Sequence, residues 1–409
     1  MIPSRDLPSE LPTATAELRS VLSSIKQDCL PIATVDLRTP IEVGDADVGD
    51  LETHEQVGPR DVEIQHCPDA LIDEFEAKHL RHWLERVLRA SVRSAVGASE
   101  EWNVVIDEAS TILARLEDDS EDTIYILPAH NAAPRSPLPV RVHNHTLVAA
   151  TTGHRTWGSA PILSRRIARE PDRFFPTAPS SRLRVLELGS GTGLVGISTL
   201  SVLRAFGVED GEVTLSDGGE TNGDDAASNG VIDNLRRNLQ VFLDDCGAEG
   251  GSRPRAEVRS LRWDEFPGGG GGSRGSDEGR YDVLLGADLI YEIEQVDSLW
   301  GAVAHLLEFP GLPTHRSRPI PAFHLVVPLR PTHTREIALL DEYFPRSWSQ
   351  QTRTFSSGPN GHSLGLITSE REEFFAPDGF HRRGRGESTL RTIRYRRYKI
   401  EWQVEGGSL

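Results

Sequence analysis

The stretch Val185–Ile197, VLELGSGTGLVGI, restricts what this chain can fold into more than any other segment. An apolar run stops at an acid, breaks into glycines at Gly189, Gly191 and Gly193, and becomes apolar again. Two apolar runs joined by a loop with few side chains describe a buried strand, a tight turn and a buried helix, the unit of parallel α/β sheets. The loop itself has three candidate uses: a cradle for nucleotide phosphates, a pocket for another adenosyl cofactor, or a bare turn.

The pattern after residue 140 supports the α/β reading. Arg184–Leu188 predicts a first strand and Gly193–Phe206 its helix, and EVTLSD a second strand ending at Asp217. VIDNLRRNLQVFLDD predicts a helix with Val231, Leu235, Leu239 and Phe242 on one face. YDVLLGADLIY predicts a central strand. AFHLVVPL, the helical TREIALLDEYF and TIRYRRYKIEW complete the series. Two inserts, GGETNGDDAASNG after Asp217 and PGGGGGSRGSDEG before Tyr281, have the composition of flexible solvent loops.

The first third differs. DALIDEFEAKHLRHWLERVLRASV and SEEWNVVIDEASTILARL, the latter with Ser99 as N-cap, predict two amphipathic helices. Val43–Asp61 and Glu117–Asp122 are acidic and without periodicity, and PAHNAAPRSPLP is a Pro-rich connector. The expected division is therefore a mostly helical N-terminal extension with acidic loops over 1–140, followed by an α/β domain over 141–409.

Composition excludes several classes. No apolar run approaches the roughly 20 residues of a membrane span, and the acidic, Pro-containing start does not fit a signal peptide, so a cytoplasmic protein, or one that is also nuclear, is expected. Cys29, Cys67 and Cys246 lack metal-ligand spacing, so no metal site and no disulfide framework are expected. A net charge of −18 argues against general nucleic-acid binding and suits a basic protein partner. The local exception is His381–Lys399, whose eight Arg or Lys face one Glu. It reads as a solvated loop with an edge strand, or as a contact for an acidic partner or RNA.

Elimination narrows the glycine loop. A Walker loop needs GxxxxGK[ST], and no Lys or Ser/Thr follows in that register. The glycines are spaced G-x-G-x-G, with Gly196 beyond them, so that a G-x-G-x-x-G register from Gly191 is also available. Glu187 sits just before them, where it repels a pyrophosphate but favours a sulfonium or an ammonium group. Asp217 ends the next strand, where a carboxylate can accept two hydrogen bonds from a ribose diol. That position serves NAD and adenosylmethionine equally, so the two motifs establish adenosine binding more firmly than the identity of the cofactor.

The remaining discrimination comes from GADLIYE, Gly286–Glu292. Together with TTGHRTWGSAPIL around Trp157, ELGSGTGLVGI, Asp217 and LRWDEF around Trp263, it resembles the seven-strand protein-lysine methyltransferases of methyltransferase family 16, with D-x-x-Y at Asp288–Tyr291. The motifs occur in family order over roughly residues 146–409. They depart from it where WDE replaces Trp followed by Gly, and TWGSA replaces the TWEAA type. The resemblance implies a Rossmann-like seven-strand class I methyltransferase sheet, S-adenosyl-L-methionine as cofactor, and a protein substrate such as a translation elongation factor. On the matched positions it implies that Trp157 closes over the methionine part, that Gly189, Ser190 and Gly191 line it beside Glu187, and that Asp217 holds the ribose. It also implies that Trp263 packs at the adenine and that Ala287 leaves room beneath it.

The implied reaction is in-line attack of a neutral lysine amine on the sulfonium methyl. A lysine with pKa near 10.4 is about 99.9% protonated at pH 7. Asp288 is then suited to orient the amine and Tyr291 to shield it from water. Two alternatives share the fold: a small-molecule N-methyltransferase, which needs a lid over a small pocket, and a non-catalytic adaptor that binds through the N-terminal helices.

Overall fold

A computed structural model describes residues 15–28, 32–38, 43–44, 64–66, 83–90, 100–117, 121–128, 137–144, 152–175, 182–218, 226–246, 254–266, 280–309, 320–355, 363–377 and 392–405. The chain begins with helix α1 (Thr15–Asp28), strands β1 (Ile32–Asp36), β2 (Val43–Gly44) and β3 (Ile64–His66), and helices α2 (83–90) and α3 (Glu100–Glu117). Strands β4 (Glu121–Leu127) and β5 (Leu138–Asn144) follow, then helix α4 (Ser159–Arg169), β6 (Leu183–Leu188), α5 (Leu194–Ala205), β7 (Gly211–Asp217), α6 (Ala226–Asp245) and β8 (Arg255–Ser260). The series closes with β9 (Val283–Ala287), α7 (Ile293–Leu306), β10 (Ala322–Pro328), α8 (Thr334–Tyr343), β11 (Leu364–Pro377) and β12 (Thr392–Val404).

The chain divides into two compact units. The first comprises Met1–Thr34, Ile64–Ile124 and His143–Val148. In it Leu18 and Leu22 of α1, Trp83, Leu84 and Val87 of α2, and Val105, Ala109 and Ile112 of α3 form one buried cluster. Their spacing of three and four residues makes these stretches amphipathic helices. The described part of α2 begins at residue 83, so the earlier half of that predicted helix, like Ser99, lies outside the described residues. The first third also carries strands that helical periodicity did not predict: β3, β1, β4 and β5 form a four-stranded sheet in that order.

The second unit comprises Val35–Glu63, Tyr125–Val142 and Ala149–Leu409. Its sheet has the order β2-β11-β12-β10-β9-β6-β7-β8, with β2 a two-residue edge strand. Strands β8, β7, β6, β9 and β10 are mutually parallel, and β12 runs antiparallel between β10 and β11. This is the Rossmann-like seven-strand architecture. Both faces are covered, which is why the strands read as continuous apolar runs. Val185, Val213, Leu215 and Val283 face a core shared with Ile162, Leu163 and Ile167 of α4 and with Leu235 and Phe242 of α6. Leu186, Leu188 and Leu284 face the opposite core, with Leu299, Trp300 and Val303 of α7 and Leu340 of α8.

Several boundaries differ from the sequence reading. Helix α6 starts at Ala226, inside the insert read as a solvent loop; PGGGGGSRGSDEG lies outside the described residues. The central strand stops at Ala287 instead of reaching Tyr291, because Asp288 takes a left-handed φ of 57°. Strand β12 is interior, not an edge strand. Its basic residues are already partnered: Arg397, with a side chain 4% exposed, binds Glu370 at 2.7 Å, and Arg396 binds Asp341 and Glu373, each at 2.6 Å. Those acids lie on β11 and α8, so this half of the basic run is a structural ladder and not a surface for an acidic ligand. Its first half, 381–391, lies outside the described residues.

Candidate functional site

The strand order reverses at β6, which is flanked by β7 on one side and β9 on the other. Diverging connections at such a point leave a crevice at the carboxyl ends of the strands, the usual ligand position in open α/β sheets. A cavity of about 380 Å³ lies there, lined by the segments that follow β6, β7, β8 and β9 together with the segment that leads into α4.

The glycine turn forms its floor. Gly189, Gly191 and Gly193 have φ of 59°, 53° and 85°, a region costly for residues with a Cβ. Space is a second constraint, since a Cβ on Gly189 falls 2.7 Å from Leu289 and 3.4 Å from the Trp263 ring. Gly196 does a different job. It lies inside α5, where a Cβ meets Leu215 at 2.6 Å and the Glu187 carboxylate at 2.7 Å, so it permits close helix–strand contact. The left-handed turn at the cavity is thus the three-glycine segment Gly189–Gly193, with Gly196 outside it.

Two acids face this floor. Glu187 is 3% exposed and accepts a hydrogen bond from the Gly196 amide at 2.9 Å. Burial pushes its carboxyl up from 4.5 to about 8, the Asp217 charge adds to the rise, and hydrogen bonds from Ser190 and Gly196 oppose it. Asp217, half-buried at the end of β7, accepts from the Gly191 amide at 2.7 Å. Burial raises it from 3.8 to about 6 against the Gly191 and Gly218 amides. In each case the folded chain retains a proton that the unfolded chain has released, so folding stability is lost as pH rises from about 4.5 through 8 for Glu187. Glu187→Gln is expected to flatten the fall in melting temperature across that window. An unchanged pH profile in this variant contradicts the raised carboxyl.

The structure brings most of the sequence-predicted residues to one cavity. Trp157, Glu187, Gly189, Ser190, Gly191, Asp217, Trp263, Ala287 and Tyr291 all line it. Ser190 contributes less of its side chain than expected, because its Oγ accepts from the Ser216 amide at 2.9 Å and so fastens the turn to β7. Tyr291 is 37% exposed, which makes it a rim residue and not a core aromatic. Asp288 departs most from expectation. It does not line the cavity; it is 6% exposed, and its Oδ2 accepts from the Ser159 amide at 2.7 Å. It thus satisfies an otherwise unpaired N–H in the first turn of α4, next to Trp157.

Sequence reasoning overlooked Arg155, Thr156 and Thr192, which also line the cavity. The two threonine hydroxyls are 2.7 Å apart and buried, and they tie the Trp157 segment to the glycine turn. A Cβ on Gly191 falls 3.2 Å from the Gly153 carbonyl, so that segment lies directly over the turn. Arg155 stood inside the quoted Trp157 motif, but a lone Arg has no spacing signal.

A glycine turn at the reversal point of the sheet, with an acid ending the next strand, is the arrangement in which open α/β sheets bind nucleoside cofactors. Residues 139–311 match the model of methyltransferase family 16, described as lysine methyltransferase. The chain is 28% identical over 216 residues to protein-lysine N-methyltransferase EFM2 of Saccharomyces cerevisiae, an alignment covering 49% of this chain and 43% of that protein. It is 30% identical over 131 residues to protein-lysine N-methyltransferase rrg1 of Schizosaccharomyces pombe, covering 31% of this chain and 39% of that protein. The chain thus spans less than half the length of these relatives. Among solved structures, MNMC2 from Aquifex aeolicus is 14% identical with a TM-score of 0.28, covering 64% of this chain and 78% of that one.

Proposed function

We propose that the protein is an S-adenosyl-L-methionine-dependent protein-lysine N-methyltransferase. The observation that carries this reading is the joint placement of the left-handed glycine turn, Asp217 and Trp263 around one cavity. The donor set fits the cofactor. Asp217 suits the ribose diol, Trp263 supplies a flat apolar wall for an adenine, and the glycines leave room for the thioether. Glu187 is buried at an energetic disadvantage when ionised, and a cationic ammonium or sulfonium offsets that.

When bound, adenosylmethionine supplies an electrophilic methyl on a sulfonium. The protein's contribution is placement. Trp157, held by the Thr156–Thr192 bond and by the anchored start of α4, closes one side. Tyr291 at the rim shields an incoming amine from water and favours its neutral form. A protein acceptor is favoured over a small molecule because Tyr291, which lines the cavity, is 37% exposed, and Ile293, two residues further on, is 41% exposed. We favour a translation elongation factor as that acceptor, on the family resemblance, and a cytoplasmic location, also nuclear, to match.

Incubating the protein with methyl-labelled adenosylmethionine and a size-fractionated cell extract is expected to label a protein band with a mass gain on lysine. Label only in the small-molecule fraction favours the small-molecule alternative, and no label together with normal cofactor binding favours the adaptor.

A further inference from the structure

We infer that Gln295 is a positioning residue for methyl transfer: its side-chain amide holds the backbone of Tyr291 and so keeps that tyrosine at the cavity. This rests on the proposed transfer to a lysine amine.

The observation that carries it is a hydrogen bond that helix capping does not require. Helix α7 opens with a capping box, in which the Glu292 side chain accepts from the Gln295 amide and the Gln295 side chain accepts from the Glu292 amide. Those two bonds complete such a box. Gln295 Oε1 does more. It accepts from the Glu292 amide at 3.2 Å and, more closely, from the Tyr291 amide at 2.9 Å. Both partners are N–H donors, so the atom that meets them is the carbonyl oxygen of the side chain. Tyr291 precedes the N-cap, and the bond to it fixes the residue before the helix.

Tyr291 stands where such a hold matters. Strand β9 ends at Ala287 and α7 begins at Ile293, so the residues between them belong to neither element. The start of this link is anchored: the Asp288 amide donates to the Val326 carbonyl at 3.0 Å, and Leu289 and Ile290 are buried. Tyr291 is exposed, so packing does not fix it in the same way. Yet it lines the cavity, together with Gln295 and Ser298 of α7. A misplacement of about 1 Å at a reacting centre can lower a rate on the order of a hundredfold, and one side-chain oxygen here sets the place of the residue proposed to shield the amine.

The test combines hydrogen exchange over residues 289–296, calorimetry with adenosylhomocysteine, and transfer to the labelled protein at a temperature well below melting. Gln295→Ala is expected to speed exchange in that segment by about tenfold and to lower kcat/KM for the protein acceptor by about tenfold, with adenosylhomocysteine affinity changed by less than about twofold. Gln295→Glu is expected to keep about half or more of the wild-type kcat/KM, because its carboxylate accepts the same two bonds and suits a helix start. Gln295→Met, which keeps the aliphatic stem without the amide oxygen, replaces Ala if that variant melts early. A lower melting temperature in the alanine variant with unchanged transfer makes the bond a helix cap only and overturns the inference. Equal loss of transfer and of affinity, or equal loss of transfer in the alanine and glutamate variants, overturns it as well. In each of those cases the wild-type protein still labels its acceptor. A wild-type protein that binds adenosylhomocysteine but labels no protein overturns the transfer reading and this inference together.

Discussion

Replacing Asp217 with alanine is expected to weaken adenosylhomocysteine binding by more than tenfold. The carboxylate accepts two hydrogen bonds from the ribose diol in the proposed complex, and bonds to a charged acceptor contribute roughly 1.5–3 kcal/mol. The structure enlarges this effect. Asp217 Oδ2 also accepts from the Gly191 amide at 2.7 Å, and Gly191 holds a φ of 53° in the turn that floors the cavity. Alanine therefore removes a ribose acceptor and loosens the turn together. Asp217→Asn separates the two contributions, since its amide oxygen still accepts from Gly191 while the charge is lost. The asparagine variant is expected to bind more weakly than wild type and more tightly than alanine, by calorimetry at one pH near 8, where the wild-type carboxyl is ionised. A dissociation constant unchanged in both variants rejects Asp217 as the ribose ligand.

The sheet was legible because its residues are locally consistent. Val185 on one face of β6 and Leu186 and Leu188 on the other are apolar, the pattern of a strand buried between helices. The glycines were legible for a related reason: left-handed turns without space for a Cβ admit little else. Strand β11 was missed because SEREEFF puts three acids and an Arg where a buried strand is apolar. Those acids are there to pair with Arg166, Arg173, Arg396 and Arg397, partners distant in sequence. Of the N-terminal strands, β1 and β3 were missed for want of period, since they are five and three residues long. At the site, residue types and order sufficed to gather Trp157, the glycines, Asp217 and Trp263. They did not give the direction of a side chain. Asp288 and Tyr291 are three residues apart in one motif, yet one lines the cavity and the other points to the start of α4.

That direction alters what substitutions at Asp288 should do. In Asp288→Ala the buried Ser159 amide loses its acceptor, which costs about 1–3 kcal/mol, and the first turn of α4 loses a favourable charge. Alanine also tolerates the φ of 57° poorly, at a further cost of roughly 1–2 kcal/mol. The variant is expected to melt earlier and to lose methyl transfer by more than tenfold, because Trp157 and Gly158 lead directly into that turn. Asparagine is the informative comparison. It accepts the left-handed conformation readily and keeps an oxygen for Ser159. If Asp288 acts by positioning α4, Asp288→Asn retains most of the melting temperature, the adenosylhomocysteine affinity and the transfer rate. If instead the carboxylate meets the substrate amine, the same variant keeps fold and affinity but transfers poorly to the labelled protein. The geometry favours the first outcome: the carboxylate is 6% exposed, and its Oδ2 is committed to a helix amide. Melting temperature, affinity and single-turnover transfer measured on one preparation of each variant decide between them, and a selective loss of transfer in the asparagine variant returns Asp288 to the reacting groups.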